Sequence, residues 1–236
     1  MFQGWRLKLR EAELACDQGR LEEATALIRS ADLDQYLPGQ RLSAKIAERM
    51  VDRARKHFTC GNSSAGWRDL ESAKDLSGES DLVIKARQES VNRLLEDAGR
   101  YLVADNPSAA LETVKKLEKR QLDGAVVRAT KDAARRLESA QRLAAHGKFA
   151  EAEEHLVVAR SLRPDLEELN RKQQDYQEKL ELFRSLTEQL HREMSESHWS
   201  EAVALADRLL ELAPENGIAR DARRHAWSEV GATGRK

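Results

Sequence analysis

Cysteine, proline, aromatic residues and long apolar runs are all scarce in these 236 residues. The two cysteines, Cys16 and Cys60, stand far apart and form no CxxC pair. That excludes a disulfide framework and a zinc module built on paired thiolates. They read instead as reduced thiols of a cytoplasmic protein, each in the place of a small apolar residue. Aromatics make up 5%, too few for a globule organised around one large core. A net charge of −1, from 40 basic and 41 acidic residues, gives no electrostatic case for nucleic acid or an anionic membrane as partner. No window approaches the roughly 18 apolar residues of a membrane span. The N-terminus turns charged within its first ten residues and lacks the apolar stretch of a signal peptide. The cytoplasm is therefore the expected compartment. Gly-rich phosphate loops, GxSxG and HExxH are also missing, so neither enzyme nor cofactor is expected.

What is present is charge, 34% of residues, laid over a 40% hydrophobic fraction. This balance suits thin helical layers, each helix with one face in water. Turn residues at Gly19, Gly61, Asp105, Gly147 and Ser197 recur at spacings of 42, 44, 42 and 50 residues. Five residues after each come Ala24, Gly66, Ala110, Ala152 and Ala202; nine after come Ile28, Leu70, Val114, Leu156 and Ala206; twelve after come Ala31, Ala73, Leu117, Ala159 and Leu209. Seven before come Ala12, Ala54, Ala98, Ala140 and Leu190; ten before come Leu9, Val51, Leu95, Leu137 and Thr187; fourteen before come Trp5, Ala47, Val91, Ala133 and Phe183. Steps of three and four put each set on one helix face. Each unit thus reads as helix, tight turn, helix, with small residues at the crossing so that the axes approach closely. Pro38, Pro107, Pro164 and Pro214 all fall between helices in this register. Asn106 reads as an N-cap, and Asp165 with Glu168 as a capping box. The following helix is expected to run over 165–196, with a break near Ser185 allowed for.

The run Gly147, Phe149, Ala152, Leu156, Ala159, Pro164 resembles a tetratricopeptide repeat at each step. Trp199, Ala202, Leu209 and Pro214 follow it nearly as well, and Gly19, Leu21, Ala24, Ile28 and Ala31 match without the proline. The period is longer than the family's roughly 34 residues, so the first helices are longer. The resemblance implies an all-α, right-handed α-α solenoid of about five such hairpins plus a C-terminal helix, over residues 1–230. Residues 231–236 read as a flexible tail or linker. It also implies a non-catalytic scaffold or adaptor that binds a protein or peptide. If the family's geometry carries over, a partner groove falls at Arg6, Glu13, Glu48, Arg55, Asn92, Gln141 and His191. The opening Gly4-Trp5-Arg6-Leu7-Lys8-Leu9-Arg10-Glu11-Ala12-Glu13 is similar to helical regions that precede a forkhead-associated domain in some bacterial proteins. An alternative role is therefore a helical arm coupled to such a phosphopeptide-reading domain outside this chain.

The remaining candidates are weaker. His57 with Cys60, and His191 with Glu193 and His198, lack the four closely spaced ligands of a structural metal site, and no metal is expected. Basic clusters at Lys115, Lys116, Lys119 and Arg120, at Arg128, Lys131, Arg135 and Arg136, and at Arg220, Arg223 and Arg224 are interrupted or flanked by acids and read as lacking nearby aromatics. Solvated faces explain them better than RNA binding. Trp5 and Trp199 occupy core positions of the register. Trp67 and Trp227 do not, and are the candidates for anchoring a partner.

Overall fold

The computed structural model describes residues 4–233. Among the described residues every regular element is helical: α1 (Gly4–Asp17), α2 (Leu21–Ser30), a 3-10 turn (Leu33–Gln35), α3 (Leu37–Thr59), α4 (Ser63–Ser77), α5 (Asp81–Val103), α6 (Pro107–Glu118), α7 (Ala125–Ala145), α8 (Phe149–Leu162), α9 (Glu168–Ser195), α10 (Trp199–Leu212) and α11 (Gly217–Thr233). The chain is all-α. No helix among these residues is long and apolar enough to cross a membrane. The chain forms two compact units, one up to Arg93 and one from Leu94, with the residues of α5 divided between them.

All five turn residues of the repeat adopt the left-handed backbone: Gly19 (φ 77°), Gly61 (79°), Asp105 (62°), Gly147 (83°) and Ser197 (60°). Each turn closes in the same way. The Gly147 amide donates to the Ala144 carbonyl at 2.8 Å, and the Lys148 amide reaches back to Leu143 at 2.9 Å. The paired bonds recur at Gly19/Arg20, Gly61/Asn62, Asp105/Asn106 and Ser197/His198. This is the Schellman motif, which satisfies carbonyls that the helix end would otherwise strand. Gln121 and Leu122 form a sixth copy, at the end of α6. After each of the five repeat turns the next helix begins two residues on, whereas after Gln121 it waits until Ala125. Asn62 and Asn106 cap α4 and α6 by accepting from the amides of Ala65 and Ala109.

Burial follows the register at the positions nearest each turn, whereas Trp5, Leu9, Ala31, Phe183, Thr187 and Trp199, read as core positions, are only half-buried. The residues at five and nine after each turn are all buried, as are the four alanines and Leu190 seven before it. Helices adjacent in sequence pack together: α1 on α2, α2 on α3 and α3 on α4 in the first unit, and α6 through α11 each on the next in the second. The alanines let those axes approach. At Gly66 even a methyl is too large, because a Cβ there would lie 2.9 Å from the Phe58 ring. In the first unit Arg53 on α3 holds the buried Asp69 of α4 with two bonds of 2.9 and 2.7 Å, and also reaches Glu22 of α2. One guanidinium thereby joins three helices, and its bonds to Asp69 and then Glu22 hold its proton more tightly than usual.

Several expectations change. Asp165 does not cap α9, because Arg163 takes both its carboxylate oxygens, and α9 begins only at Glu168. Pro38 lies in the first turn of α3 and Pro107 begins α6, both places where proline's missing N–H leaves no partner unsatisfied. The break at Ser185 is absent, and α9 runs unbroken for 28 residues. Trp67 is no anchor: it is buried, edge-on to Phe58 at 5.5 Å. Cys16 is buried as expected, whereas Cys60 is exposed. Gly231–Thr233, read as part of a tail, belong to α11, and residues 234–236 lie outside the described residues.

Candidate interaction site

In the second unit α8, the bend at Pro164 and α9 form one corner. Fifty residues later α10, the bend at Pro214 and α11 form another, and their backbones correspond. The Arg163 amide donates to Ala159 at 3.1 Å and that of Ala213 to Leu209 at 2.8 Å; the Leu166 amide returns to Arg163 at 3.1 Å and that of Asn216 to Ala213 at 3.0 Å. Ala152, Leu156, Ala159, Leu169 and Tyr176 are buried in one corner, and Ala202, Ala206, Leu209, Ala219 and Ala226 in the other.

On this shared frame each corner has an open notch with different chemistry. The earlier, of about 490 Å³, is lined by Pro164, Glu167, Glu168, Asn170, Arg171 and Gln174. The later, of about 630 Å³, is lined by Leu210, Pro214, Arg220, Arg223, Arg224 and Trp227. Trp227 is 57% exposed. Arg220, Arg223, Arg224 and Trp227 follow steps of three, one and three, which place them on one face of α11. The reading that the basic clusters lack aromatics is thus wrong for this one. The signal is the i, i+3 spacing of Arg224 and Trp227, which joins the arginines and the tryptophan on one face.

The guanidiniums differ in their partners. Arg220 donates to the Pro214 carbonyl at 3.2 and 2.6 Å. Arg223 meets Asp207 of α10 at 3.1 Å. Arg224 comes only to 3.7 Å of Asp221, with both side chains largely in solvent. The bend itself is pinned to the α7–α8 turn. The Glu215 amide donates to the Ala145 carbonyl at 2.8 Å, Asn216 Nδ2 to the His146 carbonyl at 3.0 Å, and the Glu215 carboxylate lies 3.1 Å from the His146 ring.

The groove residues inferred from the repeat register are distributed over both units. In the first, Arg6 is exposed with its guanidinium over the Trp5 ring at 5.4 Å, and Glu13 and Glu48 are exposed. Arg55 is half-buried and bound to Glu89 at 3.1 Å, while Asn92 accepts from Gln88 at 2.8 Å. In the second, Gln141 donates to the Asp105 carbonyl at 2.8 Å, and His191 is exposed. Arg55 is thus engaged by Glu89 of α5 and by Asp52 of its own helix, and Gln141 by the turn at Asp105. His198, not His191, joins the acidic residues: its Nδ1 lies 2.8 Å from Glu193 and 3.4 Å from Glu196. The bond to Glu193 raises the His198 pKa above its ordinary value.

No family model, curated protein or solved structure matches this chain. The chemistry of the α10–α11 notch is an exposed indole, two apolar neighbours and three guanidiniums on a helical corner.

Proposed function

We propose that this chain is a tetratricopeptide-like solenoid of helical hairpins that serves as a non-catalytic scaffold, holding a protein or peptide partner. The observation that carries the reading is Trp227. Its indole stands in solvent at a place where the corner fifty residues earlier has Gln177, itself exposed. Folding does not require an aromatic there, and exposed tryptophan flanked by arginine is the composition of binding hot spots. The recurrent left-handed turn and its alanine stripes support the repeat reading, because they close the same kind of helical hairpin at five places along the chain.

Affinity capture from the source cells tests the proposal, using the intact chain beside Trp227→Ala. A partner retained by the wild type and lost by the variant, then rebound in purified form by calorimetry, is the expected result. Capture that ignores Trp227, and equally ignores charge reversal of Glu48 and Arg55, would remove both candidate surfaces and the reading with them.

A further inference from the structure

We infer that the α10–α11 notch receives an acidic peptide segment, its apolar side chain against the Trp227 indole and its flanking carboxylates on Arg220 and Arg224. This rests on the scaffold reading and names the chemistry of the partner.

The earlier corner shows what the frame needs. At the positions of Arg220, Arg223, Arg224 and Trp227 it carries Asn170, Gln173, Gln174 and Gln177. Its polar groups close on one another. Gln173 and Gln177 donate to Glu153 at 3.3 and 2.5 Å, and Arg160 donates to Gln173 at 3.0 Å. In the later corner Glu153 and Arg160 are replaced by Val203 and Leu210. Of α10, Asp207 reaches the cluster and takes Arg223. The indole has no hydrogen bond or ring partner among the described residues, and its wall is Leu210 and Pro214.

Charge then selects the occupant. The Arg220 guanidinium is spent on a neutral carbonyl, and the Arg224–Asp221 pair is long and solvated. Among the described residues no carboxylate meets the Arg220 charge and only a distant one meets that of Arg224, and both stand beside the apolar Leu210, Pro214 and Trp227 that line the notch. Guanidinium binds carboxylate in a two-pronged geometry, and an apolar flank strengthens that pairing. Glu215 does not compete, since it faces His146. Asp221 and Glu229 on the same helix break the continuous positive stripe that a nucleic-acid backbone would follow, so a short acidic peptide fits better.

Fluorescence anisotropy of the full chain is the test. The probe is a labelled peptide with Leu-Phe between three acidic residues on each side; a Ser/Asn/Gln-flanked version, a Lys-flanked version and oligo-uridine serve as comparisons. Saturable binding of the acidic peptide is expected, falling at least about tenfold in Trp227→Ala and again in the Arg220→Glu/Arg224→Glu double variant. Binding should weaken as salt rises. Gln174→Ala, in the earlier notch, should leave it unchanged. All these positions are exposed, and circular dichroism confirms that each variant is folded. Equal binding of the neutral peptide, indifference to arginine reversal, or tighter binding of oligo-uridine overturns the inference. Absence of peptide binding beside a cellular partner still lost in Trp227→Ala overturns the acidic specificity alone and leaves the scaffold standing.

Discussion

The α8–α9 and α10–α11 corners bury the same positions on the same backbone, yet are held together differently. In the earlier one Arg163 is almost wholly buried. It donates to Thr130 of α7 at 2.6 Å and to Asp165 at 2.8 and 2.6 Å, and Thr130 in turn donates to the Val126 carbonyl at 2.8 Å. In the later one the same position is Ala213, fully buried, and the position matching Thr130 is Leu180. One corner is tied by a buried cation with hydrogen-bonded partners, the other by close apolar packing. The lesson is that the register dictates where side chains are buried and leaves open which chemistry does the burying. A surface free of that duty can be given to recognition.

Exchanging the two devices should break the comparison most severely. Ala213→Arg would bury a guanidinium against Leu180 with Glu215 already engaged, at a cost of about 3–5 kcal/mol. Arg163→Ala should cost about 2 kcal/mol, because Asp165 can turn to water. Urea unfolding of both variants measures the asymmetry. Equal losses would show that the corners are not held differently. There is also a pH signature. Arg163 holds the Asp165 carboxyl below its ordinary range, so its contribution is full above that range and disappears as pH falls through the lowered value. Arg163→Ala should therefore lose less stability on acidification than the wild type.

The tryptophans sharpen the same contrast. Trp199 packs edge-on against His225 at 5.5 Å and against the α9–α11 core; Trp199→Ala should cost about 3 kcal/mol. Trp227→Ala should stay within about 0.5 kcal/mol. A large loss from Trp227→Ala would make that side chain structural and undercut the site.

The two turns offer a smaller test. Gly147 and Ser197 share the left-handed backbone, but a Cβ at Gly147 would come within 2.6 Å of both Asn216 and Phe183. Gly147→Ala should destabilise by about 2 kcal/mol, whereas Ser197→Gly should stabilise by up to about 1 kcal/mol. Thermal unfolding measures both, and a Gly147→Ala loss no larger than the Ser197→Gly gain would refute the crowding, since the shared backbone alone accounts for the opposite signs.

The smallest effect is electrostatic. Glu193 raises the pKa of the exposed His198 above 6.5, so the small stabilisation from this pair is complete below that pH and fades as pH rises through the raised value. NMR titration should show the upward shift, and Glu193→Gln should reduce it, with Glu196 and Glu201 still acting in the same direction.

Much of the helical pattern was legible in the residues. Alanines at fixed distances from a turn residue reported close helix crossings, and Asp105 and Ser197 were identified as turns by spacing although neither is glycine. Asp165 was misread because a capping box is a local signal, whereas its carboxylate answers to Arg163, an arginine locked in place by a threonine on another helix. Trp67 was misread for a similar reason. One step off the stripe suggests a surface position, but the Phe58 ring on the opposing helix reaches over Gly66 to cover it. The notch was missed because half of its lining, Leu210 and Pro214, comes from a helix and a bend outside the basic cluster.

Sequence by itself determined the helices, their turns and the faces they bury, because 3.6-residue periodicity, left-handed turn positions and small-residue spacing are written locally along the chain. Only the tertiary structure decided which polar side chains serve the fold and which are left exposed. That division depends on what stands opposite each group: a threonine and a carboxylate for Arg163, solvent for Trp227, and for Arg224 only a distant, solvated Asp221.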